Sequence, residues 1–246
     1  MVPKQPPAIN APRVVLALIA IFSVIHFIRF LLPTNLDLEV LLLFSFFPAR
    51  YGGAEHIVLP GGAAAGIWSF VTYAFLHGNV VHLVVNAVWM LAFASPVARR
   101  MGVRNFLWFS LLCSVAGVLT HLVFHWGEAV PVVGASAAIS GHMAAAMRFV
   151  FQTQGPLGYI GDSSPASLHV PALSIRQTFQ DRRVVSFLVV WVGINLLMGL
   201  GALQLDDSLS NIAWEAHIGG LVAGLFLFGF FDRPLSADTV SSTDSS

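Results

Sequence analysis

The stretch from Val132 to Phe151 reads VVGASAAISGHMAAAMRFVF, and the stretch from Ile212 to Phe231 reads IAWEAHIGGLVAGLFLFGFF. Each has about the 20 mainly apolar residues that an α-helix needs to cross a bilayer. Each also carries a polar residue near its start, Ser136 in the first and His217 in the second. Because polar side chains at membrane depth are costly, they are functional candidates. A serine with a histidine is also a minimal set for nucleophilic acyl transfer.

The composition agrees with a membrane protein. Of the 246 residues, 57% are hydrophobic and only 10% are charged, whereas soluble domains carry about a quarter charged residues. The formal net charge is zero, and no basic block of the kind that binds nucleic acid is present. The single cysteine excludes a disulfide within the chain. These features exclude an ordinary soluble domain and a nucleic-acid-binding protein.

Hydropathy predicts an all-α membrane protein, a bundle of six transmembrane helices. A long external loop, Pro33 to Ile67, connects the first two helices and is expected to be partly helical. The second and fourth spans are the least apolar because they carry histidine, asparagine and serine. The predicted spans are Val14–Leu32, Val80–Val97, Phe106–His125, Val132–Phe151, Val184–Leu203 and Ile212–Phe231.

The distribution of Lys and Arg predicts the orientation. With six spans, ten of the 12 basic residues lie on the side that holds both termini, and only Arg29 and Arg50 lie on the other. Cytoplasmic loops carry the excess of Lys and Arg, so both termini are predicted to be cytoplasmic. The predicted parts are a cytoplasmic segment (1–13), the membrane domain (14–231) and a disordered cytoplasmic tail (232–246). The loop 152–183 is also cytoplasmic, with no role assigned.

The candidate catalytic residues lie at similar depths. At a helical rise of 1.5 Å per residue, Ser136 lies about 6 Å and His217 about 8 Å from the outer end of its own span. A hydrogen bond between the two side chains requires such a similar depth. His82 and Asn86 lie four residues apart and share a helical face in the outer half of the second span. Their side chains and the backbone N–H of Ser136 are candidate donors to the oxyanion of a tetrahedral intermediate.

Small residues are expected to let these helices approach closely. Gly220 and Gly224 follow His217 at regular spacing, and Gly134 and Ala135 precede Ser136. Such residues allow two helix backbones to pack tightly. Close packing of the fourth and sixth spans would bring the serine and the histidine within hydrogen-bond reach.

At these residues the chain resembles the rhomboid family of intramembrane serine proteases. The resemblance extends over most of Trp68 to Phe231 and includes six spans. It implies that Ser136 is the nucleophile and His217 the general base, with an oxyanion site from His82, Asn86 and the Ser136 backbone. It also implies substrates that are transmembrane helices, cleaved near their outer end. Four motifs match in order: Tyr73–Gly78 (YAFLHG), His82–Asn86 (HLVVN), Gly134–Ser136 (GAS) and Ala213–Gly224 (AWEAHIGGLVAG).

Three positions depart from the family pattern. Ala137 stands where the family usually has glycine, directly after the serine. Ser140 stands where an aromatic residue commonly lies under the histidine ring, and Ala98 stands where a glutamate is common. With no acidic third member in the sequence pattern, the imidazole is expected to be oriented by packing. Ser140 is therefore the most consequential change.

A metal site and three other classes of protein fit the sequence less well. His121 and His125 lie near the outer end of the third span at a spacing that could bind a metal, but no carboxylate or cysteine accompanies them there, so a structural or interfacial role is favoured and no metal site is predicted. A soluble α/β-hydrolase is set aside because no strand precedes Ser136 and Ala138 replaces the second glycine of its motif. A transporter lacks an inverted-repeat pattern. A catalytically inactive rhomboid-like protein that binds transmembrane clients stays an alternative.

We therefore predict a multi-pass protein of the bacterial plasma membrane that hydrolyses peptide bonds in single-pass transmembrane substrates. The chemistry needs no cofactor. The expected partners are these substrates and the lipid bilayer, without nucleic acid. The sequence does not determine the substrate's identity or the oligomeric state.

Overall fold

A computed structural model describes residues 11–52, 59–158, 165–199 and 213–232. Within these ranges the regular structure is helical, apart from an isolated antiparallel bridge between Phe46 and Val132. A π-helical turn, Met90–Ala94, joins the helix Val80–Trp89 to the helix Ser95–Met101. The helices are α1 (Arg13–Leu31), α2 (Thr34–Phe44), α3 (Gly62–Thr72), α4 (Val80–Trp89), α5 (Ser95–Met101), α6 (Val103–Phe124), α7 (Ser136–Met147), α8 (Ile175–Thr178), α9 (Arg182–Gly199) and α10 (Trp214–Phe231).

Five described helical segments are long and apolar enough to cross a membrane. They correspond to the predicted first, second, third, fifth and sixth spans: Arg13–Leu31, Val80–Met101, Val103–Phe124, Arg182–Gly199 and Trp214–Phe231. Helix α4 illustrates their environment, because five of its valines are 49–59% exposed, namely Val80, Val81, Val84, Val85 and Val88. An apolar stripe of this kind is costly in water and favourable against lipid.

The predicted fourth span was too long. Helix α7 extends only over Ser136–Met147, 12 residues. Before it, the backbone of Val132 pairs with Phe46 and Gly134 adopts a φ of +115°, both incompatible with a continuing helix. Every residue from Ala137 to Met147 is buried, so α7 packs against protein rather than lipid. A helix enclosed by others does not need the length that the bilayer demands of a lipid-facing one.

Glycines allow α10 to lie directly against α7. A Cβ added at Gly220 would lie 2.0 Å from the carbonyl oxygen of Ala137, and one at Gly224 would lie 2.3 Å from that of Gly141. Carbon and oxygen atoms do not approach so closely without a covalent bond. Only glycine therefore fits at these two positions, and the contact aligns the first turns of the two helices.

The described residues of the segment 33–67 include α2, a 3₁₀ turn and the start of α3. This segment docks on the bundle through aromatic packing. The ring of Phe46 lies 5.0 Å from that of Phe70 and 6.5 Å from that of Tyr73. The carbonyl of Tyr73 in turn accepts a hydrogen bond from the N–H of Gly134. The segment thus supports the turn that leads into Ser136.

The opposite end of the bundle is held by a buried ion pair. Arg100 Nε lies 2.6 Å from Asp232 Oδ1 and Nη2 lies 2.9 Å from Oδ2, while Nη1 donates to the carbonyls of Leu168 and Val170. Asp232, where the predicted tail begins, is therefore bound to the helical bundle. The rest of the predicted tail and residues 1–10 lie outside the described residues.

Replacing Asp232 with alanine is expected to lower the free energy of unfolding by about 1–3 kcal/mol, because the guanidinium of Arg100 would stay buried without its carboxylate. The measurement is the thermal midpoint of the purified protein in detergent. Arg104→Ala is the control, since this arginine is exposed on the same side of the bundle. Equal midpoints for Asp232→Ala and the unaltered protein would contradict the stabilising role of the pair.

Candidate active site

The first turns of α7 and α10 bring a serine and a histidine into contact. Ser136 Oγ lies 2.7 Å from His217 Nε2. Ser136 is the first residue of α7 and His217 is the fourth of α10, so the hydrogen bond expected from their similar depths is present. A nucleophile and a general base must lie within this reach for the base to accept the hydroxyl proton.

The turn before Ser136 explains how the serine is presented. Gly134 has a φ of +115°, which side chains other than glycine rarely allow. A Cβ at this position would also lie 2.7 Å from Nε2 of His82 and 3.7 Å from Oγ of Ser136. Ala135 follows as the N-terminal boundary residue of α7. The first N–H groups of any helix have no acceptor within it, so the backbone beside Ser136 can donate hydrogen bonds to an anion.

A third polar residue, Asn195 on α9, also contacts His217, and it was not predicted from the sequence. Its Oδ1 lies 2.5 Å from His217 Nδ1, and its Nδ2 donates to the carbonyl of Trp191 at 2.8 Å. Because an amide oxygen only accepts, Nδ1 of His217 must carry the proton, which leaves Nε2 to accept from Ser136. The expectation that packing alone orients the imidazole was wrong. The position of an asparagine inside an apolar span is a signal in the sequence that could have identified this residue as a functional candidate.

The two predicted oxyanion residues occupy different positions. His82 lies beside Gly134, as the close approach of its Nε2 indicates. Asn86 is buried, and its Nδ2 donates to the carbonyl of His82 one turn earlier. Its Oδ1 has no hydrogen-bond partner among the residues that the structure describes. The imidazole of His82 is therefore the nearer of the two side chains to the Gly134–Ser136 turn.

Comparison with known proteins identifies the family. A model of the rhomboid domain matches residues 64–233, which contain all of these side chains. The chain belongs to the rhomboid family. With its five long apolar helices, it is an integral membrane protein.

Curated rhomboids with similar sequences come from three Yersinia species, and each is named rhomboid protease GlpG. The protein of Yersinia enterocolitica (serotype O:8) is 27% identical over 173 residues, covering 70% of this chain and 51% of that protein. Those of Yersinia pestis (strain Pestoides F) and Yersinia pseudotuberculosis (strain IP32953) are 27% identical over 176 and 177 residues, covering 71% of this chain and 51% of theirs. The chain thus spans about half the length of the curated relatives that it matches.

The structure accounts for two departures of this rhomboid from the family pattern. Ala137 is buried, and a Cβ at Gly117 of α6 would lie 2.5 Å from its Cβ. The glycine on α6 therefore makes room for the alanine on α7. Ser140 donates to the carbonyl of Ser136 at 2.7 Å, so its hydroxyl is satisfied within the helix. The nearby ring comes instead from α9, where Trp191 lies 6.4 Å from the ring of His217.

The third departure, Ala98, is buried in α5 among apolar residues of the core. A carboxylate at this position would have to be paired inside the protein, because an isolated buried charge is strongly unfavourable. Nothing further in the structure explains the alanine.

A second polar cluster lies at the same end of the rhomboid bundle. His125 Nε2 lies 3.1 Å from Glu215 Oε1, and His121 Nδ1 lies 3.5 Å from Glu215 Oε2. The expectation that no carboxylate accompanies these histidines was therefore wrong. Glu215 is far from them in the chain, and only the packing of α10 against α6 brings it there. The two ring nitrogens of His217 are instead paired with Asn195 and Ser136.

Proposed function

We propose that this rhomboid is an intramembrane serine endopeptidase that cleaves single-pass transmembrane proteins near the outer membrane face. The hydrogen bond of 2.7 Å between Ser136 Oγ and His217 Nε2 carries the proposal. Both residues lie near the start of their helices, in a family whose curated relatives are named proteases. A hydroxyl held by a neutral imidazole at this distance has the arrangement that nucleophilic catalysis requires.

The proposed topology has six membrane-spanning elements, the five long helices with the enclosed helix α7 among them. Both termini lie in the cytoplasm, as the excess of Lys and Arg on that side favours. The site then lies near the outer face, where water can reach it. We infer a bacterial plasma membrane, since the curated relatives come from Yersinia.

In the proposed reaction Ser136 attacks the carbonyl carbon of the scissile bond while His217 Nε2 takes its proton. The tetrahedral intermediate collapses when His217 returns that proton to the leaving amine. An acyl-enzyme ester remains on Ser136, and water deprotonated by His217 hydrolyses it. Asn195 accepts a hydrogen bond from Nδ1 of His217 throughout the reaction. This hydrogen bond keeps the imidazole in the tautomer that can accept the serine proton, and the amide dipole stabilises the imidazolium that forms. Each step uses side chains of this chain, without a cofactor.

The developing oxyanion requires hydrogen-bond donors that are already in position. We assign this role to the backbone N–H of Ser136 and to the side chains of His82 and Asn86. Gly134 and Ala135 form the turn that exposes the N–H group. The proximity of His82 to Gly134 supports this assignment, and Asn86 retains a second N–H for a substrate oxygen.

The proposal is tested with a fluorophosphonate, which labels only activated serines. Purified protein in detergent is expected to be labelled, with labelling lost in both Ser136→Ala and His217→Ala variants. Cleavage of a reconstituted transmembrane substrate, mapped by mass spectrometry, would identify the scissile bond. Folded protein that neither reacts with the probe nor cleaves substrate would instead support the alternative, a rhomboid-like protein that binds transmembrane clients without cleaving them.

Asn195→Ala is expected to lower kcat by about 10- to 100-fold with little change in KM, because the imidazole loses the partner that selects its tautomer. Asn195→Asp keeps an acceptor for Nδ1 and is expected to recover most of the rate. The measurement is a substrate titration in proteoliposomes. A positioning role is contradicted if kcat is unchanged in the alanine variant, or if the aspartate variant is equally slow.

A further inference from the structure

Three side chains with metal-ligating atoms meet at the Ser136 end of α6 and α10. One candidate ligand atom from each of His121, His125 and Glu215 lies within 4.8 Å of the others. Two histidines and one glutamate, completed by water, are a known ligand set for zinc. Its three side chains, on α6 and α10, are different from those of the proposed catalytic pair, Ser136 and His217.

The distances to the carboxylate agree with a metal centre. With metal–ligand bonds of about 2.1 Å, ligand atoms around a tetrahedral ion are about 3.4 Å apart. The oxygens of Glu215 lie 3.5 Å from Nδ1 of His121 and 3.1 Å from Nε2 of His125. The two distances end on different oxygens, Oε2 for His121 and Oε1 for His125, so the carboxylate lies beside both imidazoles.

His121 provides an independent observation. Its side chain is 2% exposed, and neither ring nitrogen has a hydrogen-bond partner among the described residues. Buried polar groups are nearly always satisfied, so an orphaned imidazole needs an explanation. Its Nδ1 faces the carboxylate at a distance that suits a shared ion.

His125 carries the outer-shell partner that metal-binding histidines usually have. Glu128 Oε2 lies 2.8 Å from its Nδ1. A carboxylate on one ring nitrogen fixes the proton there and leaves the other nitrogen free to bind a metal. Glu128 is 54% exposed and His125 is 26% exposed, so an ion can enter from solvent.

A plain hydrogen-bonded cluster explains less. Both ring nitrogens of His125 lie beside a carboxylate oxygen, Nδ1 at 2.8 Å from Glu128 Oε2 and Nε2 at 3.1 Å from Glu215 Oε1. A protonated His125 would therefore account for this residue and for both carboxylates. It would leave both ring nitrogens of His121 without a hydrogen bond among the described residues, although Nδ1 lies 3.5 Å from Glu215 Oε2. A shared cation accounts for all three side chains.

We propose that His121, His125 and Glu215 bind a divalent transition-metal ion of the zinc class, with Glu128 orienting His125. The ion would tie the end of α6 to the first turn of α10. It would thereby stabilise the pair of helices that presents His217. The site does not depend on the proposed protease activity.

The experiment is zinc titration of the full chain, purified in detergent without a polyhistidine tag, followed by calorimetry and X-ray absorption spectroscopy. We expect one zinc ion per chain, a shell of nitrogen and oxygen ligands, and a thermal midpoint that rises with zinc. His125→Ala and Glu215→Gln are expected to weaken binding by at least about 100-fold. Glu128→Gln, an exposed change that spares the fold, should weaken it about 10-fold.

Two controls separate this site from other zinc-binding groups. His169→Ala removes a histidine far along the chain from the cluster, and Ser136→Ala removes the proposed nucleophile; both are expected to bind zinc like the unaltered protein. The proposal is overturned if the unaltered protein binds no zinc. It is equally overturned if affinity is the same in the Glu128→Gln, His125→Ala and Glu215→Gln variants.

Discussion

Replacing Ser136 with alanine is expected to abolish cleavage of a reconstituted transmembrane substrate, lowering the rate by about 10⁴-fold or more. The change removes the atom that forms the acyl-enzyme bond, and no other hydroxyl among the described residues is hydrogen-bonded to His217. The fold should persist, because His217 keeps its hydrogen bond to Asn195. Cleavage is measured in proteoliposomes, and folding by the thermal midpoint.

Ser23→Ala is the matched control. Ser23 is an exposed serine of α1 whose hydroxyl donates to the carbonyl of Ile19 in its own helix. The Ser23→Ala substitution makes the same chemical change away from the candidate site, so cleavage activity should stay at the level of the unaltered protein. Cleavage retained by purified Ser136→Ala protein would remove Ser136 from the mechanism and with it the proposed function.

The second large effect is expected from Gly220→Val. Its Cβ would lie 2.0 Å from the Ala137 carbonyl oxygen, and this neighbour is backbone that cannot rotate away. Helix α10 must then move outward from α7 and carry His217 with it. We expect a loss of about 3 kcal/mol or more in the free energy of unfolding. We also expect at least about 100-fold slower cleavage, since catalysis is sensitive to displacements of 1 Å.

Gly229→Ala is the control on the same helix. A Cβ there would meet only the end of the Arg148 side chain at 3.8 Å, an ordinary contact, so stability and cleavage should be nearly unchanged. The milder Gly220→Ala variant tests the same contact with a single methyl group. If Gly220→Val is as stable and active as the control, close packing of α7 and α10 is not what holds the serine and the histidine together.

The sequence was sufficient for predictions that depend on local chemistry. Long apolar runs identified five spans because lipid selects for composition and length, which are visible along the chain. Ser136 and His217 were found because polar residues are rare in such runs and their depth follows from helical rise. The same reasoning failed for α7, whose length is set by the turn at Gly134 and by its burial among other helices.

The sequence did not reveal the contacts of Asn195 and Glu215, because each of these residues contacts a histidine on another helix. Asn195 is 22 residues from His217 in the chain, and no spacing rule connects α9 to α10. The histidine partners of Glu215 were not predicted, since they lie about 90 residues earlier on α6. A sequence pattern gives the face and depth of a residue on its own helix, but not which helix lies opposite.

The amino-acid sequence alone determined that this rhomboid is an all-helical membrane protein, and it identified a serine and a histidine at matching depth. Hydrophobicity and helical periodicity are properties of contiguous segments, so they can be derived without a structure. Tertiary structure alone decided the short enclosed α7, the hydrogen bond from Asn195 to His217, and the meeting of Glu215 with His121 and His125. These features depend on the azimuth and separation of packed helices, which arise from contacts between residues distant in the chain.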